Sequence, residues 1–119
     1  MDRKLTVIDF FCGAGGFSEG FRQQGFEILK GIDHWSPAVQ TFNHNFSLDN
    51  EPQDILEYWD NLELIEKLPD SDIIIGSPPC ISFSNSNRSG KADKSLGLKL
   101  TEVFLRIVAV KKYKKGSIL

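Results

Sequence analysis

Near the amino terminus the run Leu5-Thr6-Val7-Ile8-Asp9-Phe10 passes through Phe11-Cys12 into Gly13-Ala14-Gly15-Gly16, and a segment with helical spacing follows. β-Branched and aromatic residues favour a strand. A strand that turns within a few glycines into a helix commits the chain to a βα unit, whose next strand returns parallel to the first. Gly13, Gly15 and Gly16 permit positive φ and let a ligand approach the backbone closely. The free amides at the start of the following helix favour polar or anionic groups. Tight βα turns also need glycine for steric reasons alone. The spacing departs from the G-x-G-x-x-G dinucleotide fingerprint, which argues against a nicotinamide-dependent oxidoreductase.

The rest of the chain repeats the alternation. The first strand, about Leu5–Phe10, leads to a helix over about Gly16–Gln24, with Phe17 and Phe21 one turn apart on an inward face and Gly25 as its stop. A second strand is expected at Glu27–Ile32. Ser36-Pro37 starts a helix whose buried stripe is Val39, Phe42 and Phe46. A short third strand is expected near Gln53–Ile55, a helix around Leu62 and Ile65, and a fourth strand at Ser71–Ile75. A last helix, from about Leu98 to Lys112, sets Leu100, Val103, Phe104, Ile107 and Val108 on one face. Such βα units predict an α/β fold: a parallel sheet of about four strands, order 3-2-1-4, with helices on both faces.

Ile73-Ile74-Ile75 ends at Gly76, and Ser77-Pro78-Pro79-Cys80-Ile81-Ser82-Phe83-Ser84 follows. Pro78 and Pro79 have fixed φ and no N–H, so they end any ladder and present Cys80 in a defined direction. A thiol just past the carboxyl end of a strand stands where open α/β sheets place their ligands. An innocent buried cysteine is the alternative. The predicted strand order sets this loop beside the glycine turn. The segment Ser82–Gly97 is rich in Ser, Asn, Gly and Lys. It reads either as a plain surface loop or as a lid over a ligand.

Asp33 ends the second strand 20 residues after Gly13. An acidic side chain there can accept hydrogen bonds from ribose hydroxyls, or it can simply cap the next helix.

Together, Phe11-Cys12-Gly13-Ala14-Gly15-Gly16 and Pro78-Pro79-Cys80-x-x-Phe83-Ser84 resemble the DNA (cytosine-5) methyltransferase family, in order and in interval, over Leu5 to about Val110. Ile81 stands where the family usually has glutamine, and Cys12 where it often has alanine. The resemblance implies a Rossmann-like half-fold and S-adenosylmethionine as cofactor. It implies double-stranded DNA as partner, with Cys80 attacking C6 of a flipped-out cytosine. Cofactor contacts are then expected from Phe11, Gly13, Ala14, Gly15, Gly16, Asp33, His34, Trp35, Asp54, Ile55, Pro79 and Leu100. In this reading Asp33 takes the ribose, Asp54 the adenine amino group, and His34 or Trp35 packs on the ring. The resemblance also places Ser82, Ser84, Arg88 and Lys91 against DNA.

The 119 residues make one small domain, expected to be the partial catalytic domain of such an enzyme without its target-recognition domain. By the resemblance, a later Glu-Asn-Val segment, an Arg-x-Arg segment and a returning helix are not readable here. The isolated chain is therefore expected to be inactive: a truncated or frameshifted enzyme, or one half of a split pair whose partner would be a complementary carboxyl-terminal chain. The net charge of −2 is not that of a dedicated nucleic-acid-binding domain, which puts most DNA contacts elsewhere. The basic run Lys111–Lys115 reads as a solvated helix end or as a phosphate contact. Two cysteines, no leader-like start and no apolar run of membrane-spanning length indicate a cytoplasmic protein. No metal site is expected, since His34 and His44 lack partners at ligand spacing. A non-catalytic cofactor-binding subunit and an RNA cytosine-5 methyltransferase remain open as alternatives.

Overall fold

The computed structural model describes residues 3–79 and 94–113. Strand β1 (Thr6–Phe10) lies between β2 (Glu27–Ile32) and β3 (Ile73–Gly76), and both pairings are parallel. Helix α1 (Gly16–Gln23) joins β1 to β2, and α2 (Ser36–Phe46) follows β2. A 3-10 turn (Ile55–Tyr58) and the short α3 (Leu62–Glu66) precede β3. Helix α4 (Lys94–Val108) ends in a π-helical turn, Ala109–Tyr113.

Alternation along β1 builds a core on each side of the sheet. Val7 packs with Cys12, Ile28 and Phe42 on the side of α1 and α2. Ile8 and Phe10 pack with Tyr58, Ile65, Val103 and Ile107 from the 3-10 turn, α3 and α4. A strand covered on both faces reads as a continuous apolar run, and Asp9 is the exception among the buried residues of β1.

Asp72 clamps the leading ends of β1 and β3. Arg3 donates to both of its carboxylate oxygens at 2.7 and 3.0 Å, and Thr6 donates to Oδ2 through N at 2.8 Å and Oγ1 at 2.9 Å. Thr6 Oγ1 accepts in return from Asp72 N at 3.0 Å. The Arg3 guanidinium first, and then the Thr6 donors, hold the Asp72 carboxyl well below the usual carboxylate range.

The α/β class and the parallel sheet match expectation, with three strands among the described residues rather than four. The expected strand at Gln53–Ile55 does not form. Gln53 N donates to Asp33 O at 2.8 Å, one bond past the end of β2. Pro52 has no N–H to continue a ladder, and Asp54 turns the chain. Its Oδ1 accepts from Leu56 N at 2.9 Å while Glu57 Oε2 accepts from Asp54 N at 3.2 Å, a capping box that opens the 3-10 turn. The expected order 3-2-1-4 thus reduces to its last three members, β2-β1-β3.

Three smaller expectations are also corrected. Phe17 is 54% exposed, because α1 turns Ser18 inward to meet Asp9. Helix α4 begins at Lys94 rather than near Leu98, and Leu98 is exposed. Of the basic run Lys111–Lys115, Lys114 and Lys115 lie outside the described residues, and Lys111 and Lys112 are held by backbone carbonyls rather than left to solvent or phosphate. Lys111 Nζ donates to Leu68 O at 2.7 Å and pairs with Asp70 at 2.9 Å. Lys112 Nζ donates to Ser71 O at 2.5 Å and to Asp72 O at 2.8 Å. Carbonyls exposed by the turn before β3 thus find cationic donors from the end of α4.

Candidate functional site

A cleft of about 420 Å³ opens at the carboxyl ends of the strands, within the range of small-molecule sites. Phe11 enters it from the turn after β1, and Ile32, Asp33 and His34 from the end of β2. Gln53, Asp54, Ile55 and Leu56 come from the 3-10 turn and its approach. Ser77 and Pro79 line it from beyond β3, and Leu96 and Leu100 from α4.

The glycine turn is shaped by three different needs. Phe11 holds φ at 59°, a left-handed conformation that costs a non-glycine residue about 1–2 kcal/mol. Packing holds it there: its ring meets Phe104 at 6.4 Å, and Phe104 meets Phe10 at 5.6 Å. Gly13, with φ 54°, has open space where a Cβ would stand, so its backbone is accessible. Gly15 serves packing instead. At φ 102° a Cβ would lie 2.5 Å from the Phe46 ring. Gly16 begins α1.

Asp33 joins the turn to the end of β2. Its Oδ2 accepts from Gly13 N at 3.0 Å and its Oδ1 from Trp35 N at 2.9 Å. A carboxylate oxygen has two lone pairs, so each keeps capacity for another donor. The side chain is 16% exposed, enough to reach the cleft. Cys12 N donates to Ile32 O at 3.1 Å and Ser77 N to Phe10 O at 3.4 Å, so backbone bonding runs past the ends of both ladders. These bonds bring the glycine turn, Asp33 and Pro79 to one edge.

Asp9 lies at the base of this turn, fully buried. Ser18 Oγ donates to its Oδ2 at 2.6 Å, and Oδ1 has no partner. Burial first, and the Asp33 charge as well, push the carboxyl up to about 6 against the pull of the Ser18 bond. Burial, with Asp9 and Asp33 nearby, pushes the Cys12 thiol up to about 12. A thiol of that kind stays protonated near neutrality and is a packing group rather than a nucleophile.

Of the residues expected at the site, the structure brings Phe11, Asp33, His34, Asp54, Ile55, Pro79 and Leu100 into one cleft. Gly13 adjoins it through Asp33. Ala14, Gly15, Gly16 and Trp35 do not line it; of the two rings that follow Asp33, His34 stands in the lining, with its side chain 79% exposed, and Trp35 does not. Cys80, Ser82, Ser84, Arg88 and Lys91 lie outside the described residues. Sequence reasoning missed Ile32, Gln53, Leu56, Ser77 and Leu96. Ser77 and Leu96 flank features already noted, whereas nothing in the local pattern marks Gln53. Among the described residues no group of three His, Cys, Asp or Glu side chains gathers as a metal site, and no helix is long and apolar enough to cross a membrane.

The sequence profile of the C-5 cytosine-specific DNA methylases matches residues 5–115. Type II methyltransferase M.HgiGI of Herpetosiphon aurantiacus is 42% identical over 105 residues, covering 87% of this chain and 80% of that protein. Type II methyltransferase M.HgiDI of the same organism is 41% identical over 105 residues, which is 33% of its length. A crystal structure of a candidate DNA modification methyltransferase encoded within an E. coli prophage superposes with a TM-score of 0.68 at 29% identity, covering 91% of this chain and 29% of the other. The chain thus spans most of one relative and about a third of the others. It carries the fold, the glycine turn and the Pro-Pro-Cys segment, and it belongs to the C-5 cytosine-specific DNA methylase family.

Proposed function

We propose that this chain is the cofactor-binding and nucleophile-bearing part of a DNA cytosine-5 methyltransferase. The observation that carries the reading is that Pro79, the residue before Cys80, lines the same cleft as Asp33 and Asp54. The nucleophile loop therefore leaves from the rim of the cleft that would hold the methyl donor.

The residues present fit S-adenosylmethionine. Phe11, Ile55 and Leu100 offer apolar surface for a purine, Asp33 and Asp54 offer acceptor oxygens, and the cleft volume is adequate for a nucleoside. Asp33 would hold the ribose while keeping Gly13 and Trp35 in place, and Asp54 would accept from the adenine amino group. His34 would cover the ring. When bound, the cofactor supplies an electrophilic methyl group.

Cytosine C5 is a poor nucleophile until a group adds at C6. Cys80, as thiolate, would add there and make C5 enamine-like. After methyl transfer to C5, loss of the C5 proton and expulsion of the Cys80 thiolate would restore the aromatic ring. A base inside a duplex is out of reach, so the cytosine must be extruded, at a cost of a few kcal/mol that pocket contacts offset. Ser82, Ser84, Arg88 and Lys91 would contact the DNA in that state. A complementary carboxyl-terminal segment, in the same chain or another, would supply target recognition. Leu98 and Leu105 on the exposed side of α4 are apolar surface that it would cover.

DNA carrying 5-fluorocytosine tests the chemistry, because fluorine at C5 blocks the last elimination. With a complementary carboxyl-terminal fragment and S-adenosylmethionine, the wild-type chain should form a covalent complex with DNA, and Cys80→Ser should not. An adduct that survives Cys80→Ser would refute the assignment.

A further inference from the structure

Gln53 belongs to no motif, yet it lines the cleft between two proposed ligand contacts. Its N–H donates to Asp33 O at 2.8 Å, which fixes it beside the end of β2, and Asp54 follows it in the chain. Its side-chain Oε1 accepts from Tyr58 Oη at 2.8 Å. Tyr58 is 2% exposed, and burial, with the Glu57 charge, pushes its phenol up to about 12, so the hydroxyl keeps its proton. The reversed amide, with Nε2 donating to the phenol oxygen, would leave that buried proton without an acceptor among the described residues. The phenol therefore sets the amide, and Gln53 turns its NH₂ away from Tyr58 as a donor.

We propose that Gln53 reads the purine of the bound nucleoside, its Nε2 donating to ring nitrogen N3. The inference rests on the reading of this cleft as the nucleoside site. The purine edge that runs from the ribose toward the amino group carries acceptor nitrogens, and N3 is the one beside the ribose. Gln53 is bonded to the backbone of Asp33, the residue assigned to the ribose, so N3 is the acceptor its amide meets. Tyr58 acts through Gln53 as a positioning residue.

Calorimetry on the full 119-residue chain with S-adenosylhomocysteine and its 3-deaza and 1-deaza analogues tests this. The wild type should bind the 3-deaza analogue roughly five- to tenfold more weakly than the parent, the loss expected for one hydrogen bond. Gln53→Glu keeps an acceptor for Tyr58 but has no NH₂, and Gln53→Met keeps only the bulk. Both should weaken the parent by about the same factor and abolish the gap between parent and 3-deaza analogue. Tyr58→Phe should narrow that gap, because the amide is then free to rotate. Equal wild-type affinity for the parent and the 3-deaza analogue overturns the proposal without any variant, as does a gap confined to the 1-deaza analogue. A gap that persists in a folded Gln53→Met chain also overturns it. Failure of the wild type to bind S-adenosylhomocysteine overturns the nucleoside reading of the cleft itself.

Discussion

Ser18 Oγ donates to Asp9 Oδ2 at 2.6 Å, and both residues are closed to solvent. This bond ties the first turn of α1 to the middle strand, directly below the glycine turn. It also leaves the second carboxylate oxygen of Asp9 without a partner. A carboxyl in that setting favours its proton.

Asp9 should therefore make stability fall as pH rises. Its folded value of about 6 lies above its ordinary value near 4, so between those limits the folded chain holds more protons than the unfolded one. The contribution is full below about pH 4 and is lost as pH rises through about 6, on the order of 3 kcal/mol in total. Asp72 works the other way: its lowered value adds stability above its ordinary range, and that is lost in acid. Asp9→Asn should erase the first slope. Urea unfolding at pH 4.5, 5.5, 6.5 and 7.5 would show the difference between wild type and variant changing across the series. A constant difference would mean that Asp9 titrates like an exposed carboxyl.

Gly15→Ala should destabilise the chain by roughly 2–4 kcal/mol, combining left-handed strain with overpacking. The added Cβ would meet the Phe46 ring at 2.5 Å and the Phe42 ring at 3.0 Å. Gly13→Ala has open space and should carry the backbone strain alone, about 1–2 kcal/mol. Thermal melts of the two variants should rank in that order. A Gly13 variant at least as damaged as the Gly15 variant would count against this division of roles.

Legibility followed the physics of each segment. Strand β2 and helix α2 formed where expected, because a bounded apolar run and a Ser-Pro start with Val39, Phe42 and Phe46 in register are local signals. The candidate cleft was partly legible, since Phe11 and Asp33 directly follow β1 and β2, Pro79 lies just past β3, and parallel topology gathers strand ends. Other features needed tertiary contacts. Phe17 faces outward because Ser18 is claimed by Asp9, and no periodicity weighs a buried carboxyl against an aromatic ring. The Gln53–Ile55 segment has a strand-like neighbour, but Pro52 and the Asp54 capping box divert it. Gln53 is positioned by Tyr58 five residues on, a relation visible only once the 3-10 turn is folded. Lys111 and Lys112 read as a charge run because their acceptors are carbonyls 40 to 43 residues away.

The two cysteines should differ sharply in reactivity. Cys12 is 6% exposed and pushed up to about 12, so almost no thiolate exists near neutral pH. At pH 7.5 a maleimide should label the wild type at Cys80, and Cys80→Ser should remain unlabelled over the same period. Peptide mapping by mass spectrometry reads both sites. Rapid labelling of Cys12 in the folded Cys80→Ser chain would show that the packing beneath the glycine turn is open to solvent.

Asp33 should affect both folding and ligand affinity, and two variants separate the effects. Asp33→Ala removes the acceptor for Gly13 N and for Trp35 N together, so it should lower stability by about 2 kcal/mol or more, as charged hydrogen bonds are lost. Asp33→Asn keeps one acceptor oxygen in the same place and should melt closer to the wild type. Both variants lose the carboxylate proposed to hold the ribose. Each should bind S-adenosylhomocysteine about 10- to 150-fold more weakly, equivalent to about 1.5–3 kcal/mol. Titration calorimetry below the melting range of the weaker variant gives the comparison. If Asp33→Asn binds with wild-type affinity, the carboxylate serves only to brace the glycine turn, and the ribose contact must be sought elsewhere along the cleft.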